Sequence, residues 1–229
     1  MKRFYFSLLI LITSVSAVFA QKDAKAQTIL DKTAAAYQKA EGIAITFGGT
    51  QKGTLLLKGS CFYLDCAGVK SWFDGKTQWS YVQQNEEVTI SNPTAEEIRS
   101  VNPYALITSY KTLFNYRYKG AQTRNGRKGQ EIVLTPRQKG DIQSITFTVS
   151  ADYEPIYIGV KLSNGKTQEF NITSYQTHRN LSSSIFRFDA KKYPNAEIID
   201  MRLIKFPIQK ALLDGIRQGF LYKICFLET

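Results

Sequence analysis

The chain has 229 residues, of which 43% are hydrophobic and 21% are charged, and its 30 Lys and Arg residues against 19 Asp and Glu residues give a net charge of +11. Its three cysteines and single histidine form no cluster with metal-ligand spacing, so the sequence argues against a Cys/His metal centre. A basic surface suits nucleic acid, anionic lipid headgroups or no specific partner, since scattered Lys and Arg also favour solubility.

The first 20 residues have the pattern of a secretory signal peptide. Lys2 and Arg3 give a positive start, Leu8 to Val18 form an apolar run, and Ala20 ends a small-residue cleavage context. The run is too short to span a bilayer comfortably, which disfavours the alternative of an uncleaved anchor. We therefore expect an exported, periplasmic protein whose net charge falls from +11 to +9 when Lys2 and Arg3 are removed. Export also argues against nucleic acid as a partner.

The residues after the signal predict one helix and then a series of short strands. Apolar residues recur at helical spacing over 23–40, and Glu41-Gly42 ends the pattern. Period-two alternation then predicts strands. The predicted strands cover residues 43–47, 53–57, 60–64, 69–73, 77–82, 87–91, 116–119, 130–135, 145–149, 156–162 and 170–172.

Two dipeptides predict tight hairpin turns, Asp74-Gly75 and Asn164-Gly165, because both of their residues can take a positive φ. Hairpins join antiparallel strands, so we expect the sheet to be antiparallel. In the strand after the first turn, Trp79 and Tyr81 are two residues apart and therefore share one face.

A helical insert interrupts the strands in the middle of the chain. Thr94 with Glu97 has the pattern of a capping box for a short helix through Val101. Pro103 then begins a second predicted helix that continues to about Leu113, because a proline in the first helical turn loses no hydrogen bond.

These elements predict an α+β fold in which a curved antiparallel sheet forms an unclosed half-barrel, covered by helices and enclosing an apolar cavity. We assign residues 1–20 to the signal peptide and 21–202 to a single domain. Residues 203–229 form a tail of different character. It is either a basic amphipathic helix around 208–221 or a segment unrelated to the fold.

Cys61 and Cys66 lie close together in an exported chain, so a local disulfide is one possibility. Along one extended strand they would be too far apart to bond, and a bend near Asp65 would be needed. The spacing alone leaves both outcomes open.

Large apolar side chains on the predicted strands form one candidate cavity lining. Its members are Leu55, Leu57, Phe62, Leu64, Trp72, Trp79, Tyr81, Phe147 and Val149. The alternative is that these side chains are the packed core between sheet and helices, which is where most inward-facing aromatic residues lie.

Catalytic patterns are weak by comparison. The lone histidine, His178, could act as a general base in a secreted hydrolase, but no nucleophile motif such as Gly-x-Ser-x-Gly accompanies it. Glu97 is explained by the capping box. There is no phosphate-binding glycine-rich loop and no cofactor motif.

The chain resembles the LolA-like family of periplasmic lipoprotein carriers over roughly residues 24–202. The likeness rests on the Asp74-Gly75-Lys76 turn followed by Trp79, and on the strand 131–136 that ends in Leu-Thr-Pro. Further matching segments are residues 53–58, 139–142, 145–147, 164–165, 185–188 and 196–200. The insert between Asn92 and Tyr104 is similar to the divergent branch found in Bacteroidetes-type bacteria.

The resemblance implies a carrier without catalytic activity whose sheet wraps around lipid acyl chains. It favours the cavity interpretation of the nine residues above. It also implies three kinds of partner: acylated lipoproteins, an inner-membrane lipoprotein-releasing ABC transporter, and an outer-membrane acceptor or membrane surface. We expect a monomer that uses no cofactor. The alternative on the same fold is a periplasmic lipid- or glycolipid-binding or lipid-sensing protein.

The chain departs from the family pattern at one important place. In the proteobacterial carriers an Arg-Pro pair follows the first meander strand, and its Arg bonds to helix backbone and holds the cavity shut. Gly59 and Ser60 stand at the matching positions here. This closing contact is therefore not expected in the same form.

Overall fold

The computed structural model describes residues 23–203 except residue 96 and residues 99–102. The predicted signal peptide and almost all of the predicted tail lie outside the described residues, and so does the predicted end of the first insert helix at Val101. The helices are α1 (Ala24–Lys39) and α2 (Pro103–Leu113). The strands are β1 (Ile43–Gly49), β2 (Gly53–Lys58), β3 (Cys61–Cys66), β4 (Val69–Phe73), β5 (Gln78–Val82), β6 (Glu87–Ser91), β7 (Phe114–Arg124), β8 (Arg127–Pro136), β9 (Ile142–Val149), β10 (Pro155–Leu162), β11 (Thr167–Gln176) and β12 (Glu197–Asp200).

All twelve strands belong to one sheet, in the order β12-β6-β5-β4-β3-β2-β1-β11-β10-β9-β8-β7. Neighbouring strands are antiparallel except β12, which pairs in parallel with β6. The edge strands β12 and β7 each pair with one neighbour, so the sheet does not close into a barrel. The predicted fold class, an unclosed antiparallel sheet accompanied by helices, is confirmed.

The sheet has two faces with different covers, because successive residues of a strand point to opposite sides. Phe62 pairs with Phe73, whereas the adjacent Tyr63 pairs with Trp72. We call the face of Phe62 and Phe73 the inner face and that of Tyr63 and Trp72 the outer face. Helix α1 packs on the inner face, where it contacts two hydrophobic clusters.

The predicted helix over 23–40 is confirmed as α1, and the residue before it fixes both its start and its position. One carboxylate oxygen of Asp23 accepts a hydrogen bond from the Ala26 N–H at 3.0 Å and the other accepts from the Tyr118 N–H at 2.9 Å. The first of these bonds is the main reason that the pKa of Asp23 lies below its ordinary value. The N-cap therefore also joins α1 to β7.

The predicted capping box is confirmed. The Glu97 N–H donates to the Thr94 hydroxyl at 3.3 Å, and the Glu97 carboxylate accepts from the Thr94 N–H at 2.6 Å. The second insert helix begins at Pro103 and ends at Leu113, as predicted.

The Asp74-Gly75 turn forms where predicted, but only the glycine takes a positive φ, at +98°. Asp74 acts through its side chain, whose Oδ1 accepts from the Lys76 N–H at 3.1 Å and the Thr77 N–H at 2.9 Å. The second predicted turn follows the same plan, because Gly165 has a φ of +86° and the Asn164 side chain accepts from the Lys166 N–H.

Cys61 and Cys66 are not joined to each other by a disulfide. They occupy the two ends of β3, about 16 Å apart at the usual rise of a strand, and an odd separation places them on opposite faces. A disulfide requires Cα atoms within about 7 Å, so the straight strand excludes a bridge between these two residues.

The chain reaches β12 by crossing the outer face. After β11, residues 183–186 pack on β3 and β4. The Lys58 ammonium donates to the Leu181 carbonyl oxygen at 2.7 Å, and the Arg187 guanidinium pairs with Asp74 at 3.1 Å. We call residues 177–196 the crossover segment; it covers the outer face as α1 covers the inner one.

Polar contacts join α1 to α2. The Tyr110 hydroxyl donates to Asp31 at 2.8 Å and lies 3.3 Å from the Gln27 carbonyl oxygen, and Lys111 pairs with Asp31 at 2.7 Å. Burial alone would raise the pKa of Asp31, but the hydrogen bonds from Lys111 and Tyr110 outweigh it and leave that pKa below its ordinary value. The Asp31 carboxylate is therefore the charged centre of the contact between the two helices.

We expect Tyr110→Phe to lower the free energy of unfolding by about 1 kcal/mol, because it removes the hydroxyl that links α2 to α1 and keeps the buried ring. The melting temperature should fall by about 2–4 °C in a domain of this size. Tyr153→Phe is the control, since that hydroxyl accepts a hydrogen bond from the exposed Lys32. Equal melting temperatures for the two variants would contradict this role of Tyr110.

Candidate functional site

The strand register divides the nine predicted lining residues into two groups. Six lie on the inner face: Leu55, Leu57, Phe62, Leu64, Phe147 and Val149. Three lie on the outer face: Trp72, Trp79 and Tyr81. The prediction of one continuous lining is therefore wrong for these three aromatic residues. The physical reason is that Phe62 pairs with Phe73 rather than with Trp72, and a register difference of one residue reverses the face.

The outer aromatic residues are part of a core that the crossover segment closes. The Trp72 ring lies 5.5 Å from Tyr63 and 5.5 Å from Phe188, and the Tyr81 ring lies 4.6 Å from Tyr193. Trp72 is 6% exposed and Tyr81 is 8% exposed. For these residues the core interpretation of the sequence applies.

The inner residues belong to two clusters under α1. Phe147 and Val149 lie in the first cluster with Ala26, Ile29 and Leu30 of the helix. The other four lie in the second cluster, against which Tyr37, Ala40 and Ile98 pack. All six are buried, so a ligand reaches them only where the helical cover moves aside.

Three neighbouring strands leave apolar side chains on the inner face only partly buried. They are Phe47 on β1, Phe170 on β11, and Ile158 and Val160 on β10. Phe47 and Phe170 meet edge to face with ring centroids 5.7 Å apart. These residues are the accessible apolar part of the inner face, and they were missing from the predicted lining. Their period-two alternation was visible in the sequence, but nothing in that pattern says which residues a helix leaves uncovered.

Gly53 permits the close packing of this region. A Cβ added at this glycine would lie within 2.4 Å of the Phe47 ring. Phe47 therefore lies directly over the first residue of β2, and any larger residue at position 53 would displace it.

Gly59, in the turn after β2, has no side chain with which to hold the helices. Gly59 has a φ of +56°, and open space surrounds the position of a Cβ there. The adjacent Lys58 contacts the crossover segment instead. Gly59 therefore cannot form the closing contact that the family resemblance implies at this position.

The described residues contain no group of three or more His, Cys, Asp or Glu side chains that could hold a metal ion. His178 is exposed in the bend after β11, with a φ of +54°. The arrangement of the inner face suits non-covalent binding of apolar groups. No helix in the described ranges is long and apolar enough to cross a membrane.

A family model described as "Outer membrane lipoprotein carrier protein LolA" matches residues 16–184. The chain belongs to the LolA family. The resemblance drawn from the hairpin and strand motifs is thereby confirmed at the level of the family. LolA-like proteins are carriers and binding proteins, which agrees with a site that offers apolar contact.

Solved structures of other proteins are similar to this LolA-family chain. An uncharacterized conserved protein from Thermus thermophilus matches with a TM-score of 0.55 and 14% identity, over 77% of this chain and 99% of that one. The lipoprotein LppX of Mycobacterium tuberculosis matches at 0.45 and 10%, over 70% and 100%. A LolA superfamily protein of Nitrosomonas europaea, NE2245, matches at 0.36 and 11%, over 72% and 98%. The first match supports the fold alone. No curated protein matches the chain.

The two tryptophans provide a test of the two faces. Brominated acyl chains quench the emission of a tryptophan that they contact. If these chains bind on the inner face, Trp72 and Trp79 on the outer face should remain unquenched. A third tryptophan introduced by Phe170→Trp, on the inner face, should be quenched.

Lys161→Trp is the matched control, because Lys161 lies next to Val160 on β10 and is exposed on the outer face. Strong quenching of the wild-type protein would mean that the ligand binds on the outer face.

Proposed function

We propose that the protein is a periplasmic carrier that binds the acyl chains of lipoproteins on its inner face and moves lipoproteins from the inner to the outer membrane. The observation that supports this most directly is the accessible apolar region of Phe47, Ile158, Val160 and Phe170, which continues into the buried clusters under α1. A packed core alone would not need such a region.

Binding requires only the transfer of hydrocarbon from water. Each buried CH₂ of an acyl chain contributes about 0.8 kcal/mol, so a chain of sixteen carbons contributes on the order of 10 kcal/mol before costs are subtracted. The costs are the displacement of α1 from its clusters and the ordering of the chain. Release at the outer membrane requires that the net free energy of binding be small. The cost of displacing α1 offsets much of the favourable transfer free energy and so keeps the net value small.

The polar contacts of the cover are weak enough to break. The ion pair between Lys111 and Asp31 is 47% and 44% exposed, and exposed pairs contribute little to stability. Gly59 stands in place of the family Arg, and the polar contacts that hold α1 include those of Asp23 and Gln27 with β7, of Asp31 with α2 and of Lys32 with Tyr153. We infer that α1 and α2 move together when cargo enters.

The expected partners follow from this role. The protein would receive acylated lipoproteins from an inner-membrane lipoprotein-releasing ABC transporter and deliver them, as a monomer, to an outer-membrane acceptor or the membrane surface. The alternative is a lipid- or glycolipid-binding or lipid-sensing protein. The missing Arg contact at Gly59 favours this alternative. Without that contact, opening of the helical cover need not be coupled to a transporter.

Native mass spectrometry of the protein purified gently from its periplasm tests the proposal. Bound peptides with a diacylated or triacylated cysteine are expected, whereas phospholipid or glycolipid would establish the alternative. An unoccupied protein that hydrolyses a chromogenic ester would contradict both and would return attention to His178.

A matched pair of variants locates the cargo in the same experiment. Val160→Glu places a charge on the accessible inner face and should reduce bound acylated peptide at least tenfold, because burying an unpaired carboxylate is costly. Lys161→Glu, one residue away on the outer face, should leave the bound amount unchanged. Equal cargo in the two variants, with equal melting temperatures, would contradict binding on the inner face.

A further inference from the structure

The inner face changes chemical character along one row of paired residues. From β2 to β6 this row runs Leu55, Leu64, Ser71, Ser80 and Thr89, each residue being the cross-strand partner of the next. The apolar part therefore ends at β3, and three hydroxyl groups continue the row over β4, β5 and β6. We call Ser71, Ser80 and Thr89 the hydroxyl row.

The hydroxyl row is buried. Ser71 is 0% exposed, Thr89 is 8% exposed and Ser80 is 9% exposed. Buried hydroxyl groups in native proteins are normally hydrogen-bonded, because an unpaired one costs free energy. The partners of these three groups therefore decide what the row can bind.

Some hydroxyl protons of the row have no acceptor among the described residues. Gln78 Nε2 donates to Ser71 Oγ at 3.1 Å and to Ser80 Oγ at 3.2 Å, and the two serine oxygens are 3.4 Å apart. Only one of the two serine protons can lie between those oxygens. Among the described residues the other serine proton has no acceptor. The Thr89 hydroxyl also forms no hydrogen bond with a described residue, and its oxygen is not fully buried.

We propose that the hydroxyl row binds the ester carbonyl oxygens of a diacylglyceryl group, with the acyl chains running from it over Leu64 and Leu55. This inference rests on the proposed function and names the chemical class that the site selects. Ester carbonyls are acceptors without protons, so they complement donors that lack acceptors. The row is about 10 Å long, which is enough for the two esters of one glyceryl unit.

Charge excludes the anionic alternatives. The inner-facing positions of β4, β5 and β6 include no Lys or Arg, and their one charged residue is Glu87. A phosphate or a free carboxylate at the row would find no counter-charge on these strands and would be repelled by Glu87. A neutral acceptor has neither cost.

Two lipopeptides that differ only in their carbonyl groups test the proposal. One carries S-[2,3-bis(palmitoyloxy)propyl]-cysteine, and the other carries the matched bis(hexadecyloxy) ether on the same peptide. The wild-type protein should bind the ester form roughly threefold to tenfold more tightly per hydrogen bond formed, as measured by displacement of a pyrene-labelled hydrocarbon probe.

Substitutions in the hydroxyl row test whether its hydroxyl groups cause the preference for the ester lipopeptide. Thr89→Val and Ser80→Ala should each reduce the ester preference and leave ether binding unchanged, whereas Thr89→Ser should retain the preference. Thr46→Val is the control, because Thr46 is exposed on the outer face, where its hydroxyl lies 3.0 Å from that of Thr173.

The possible failures are distinguishable. If wild type binds both lipopeptides with equal affinity, or if Thr89→Val behaves like Thr46→Val, the inference is overturned and the proposed function remains. If neither lipopeptide binds, the proposed function is overturned and the inference with it.

Discussion

Side-chain alternation along paired strands is the constraint on which the rest of this structure depends. Once Phe62 pairs with Phe73, every residue from β1 to β6 is assigned to a face. The aliphatic residues of β2 and β3 then lie under α1, and Trp72, Trp79 and Tyr81 lie under the crossover segment. The sheet is thus covered on both sides, and the two covers differ in how firmly they are held.

The outer cover is fixed by the chain on either side of it. The crossover segment starts at β11 in the middle of the sheet and ends at the edge, where β12 adds a parallel strand to β6. Ring contacts of Phe188 and Tyr193 with aromatic residues of the sheet, and the Arg187–Asp74 ion pair, hold the segment between these ends. The inner cover has no equivalent strand pairing. Its apolar contacts with the sheet can be replaced by an acyl chain of similar chemistry, which is why we place the cargo on the inner face.

Local signals in the sequence predicted the elements well, and the register is what they could not supply. The spacing of Ala26, Ile29 and Leu30, the Thr94–Glu97 capping box and the Asp74-Gly75 turn each act within a few residues, so the sequence alone reveals them. Whether Trp72 lies on the same face as Phe62 depends on the pairing between strands. Either pairing places apolar residues at alternating positions, so the sequence pattern does not decide between them. The hydroxyl row was invisible for the same reason, since Ser71, Ser80 and Thr89 are ordinary strand residues until pairing aligns them. The family resemblance gave the fold and could not correct the face of the tryptophans.

The central claim is that acyl chains lie between the inner face and α1. Photo-crosslinking with a diacyl lipopeptide that carries a diazirine in one chain, followed by peptide mapping, tests it most directly. The account predicts labels on inner-face residues such as Leu57, Phe147 and Val160 and on the sheet-facing side of α1. Labels concentrated on Trp72, Trp79 or the crossover segment would contradict it.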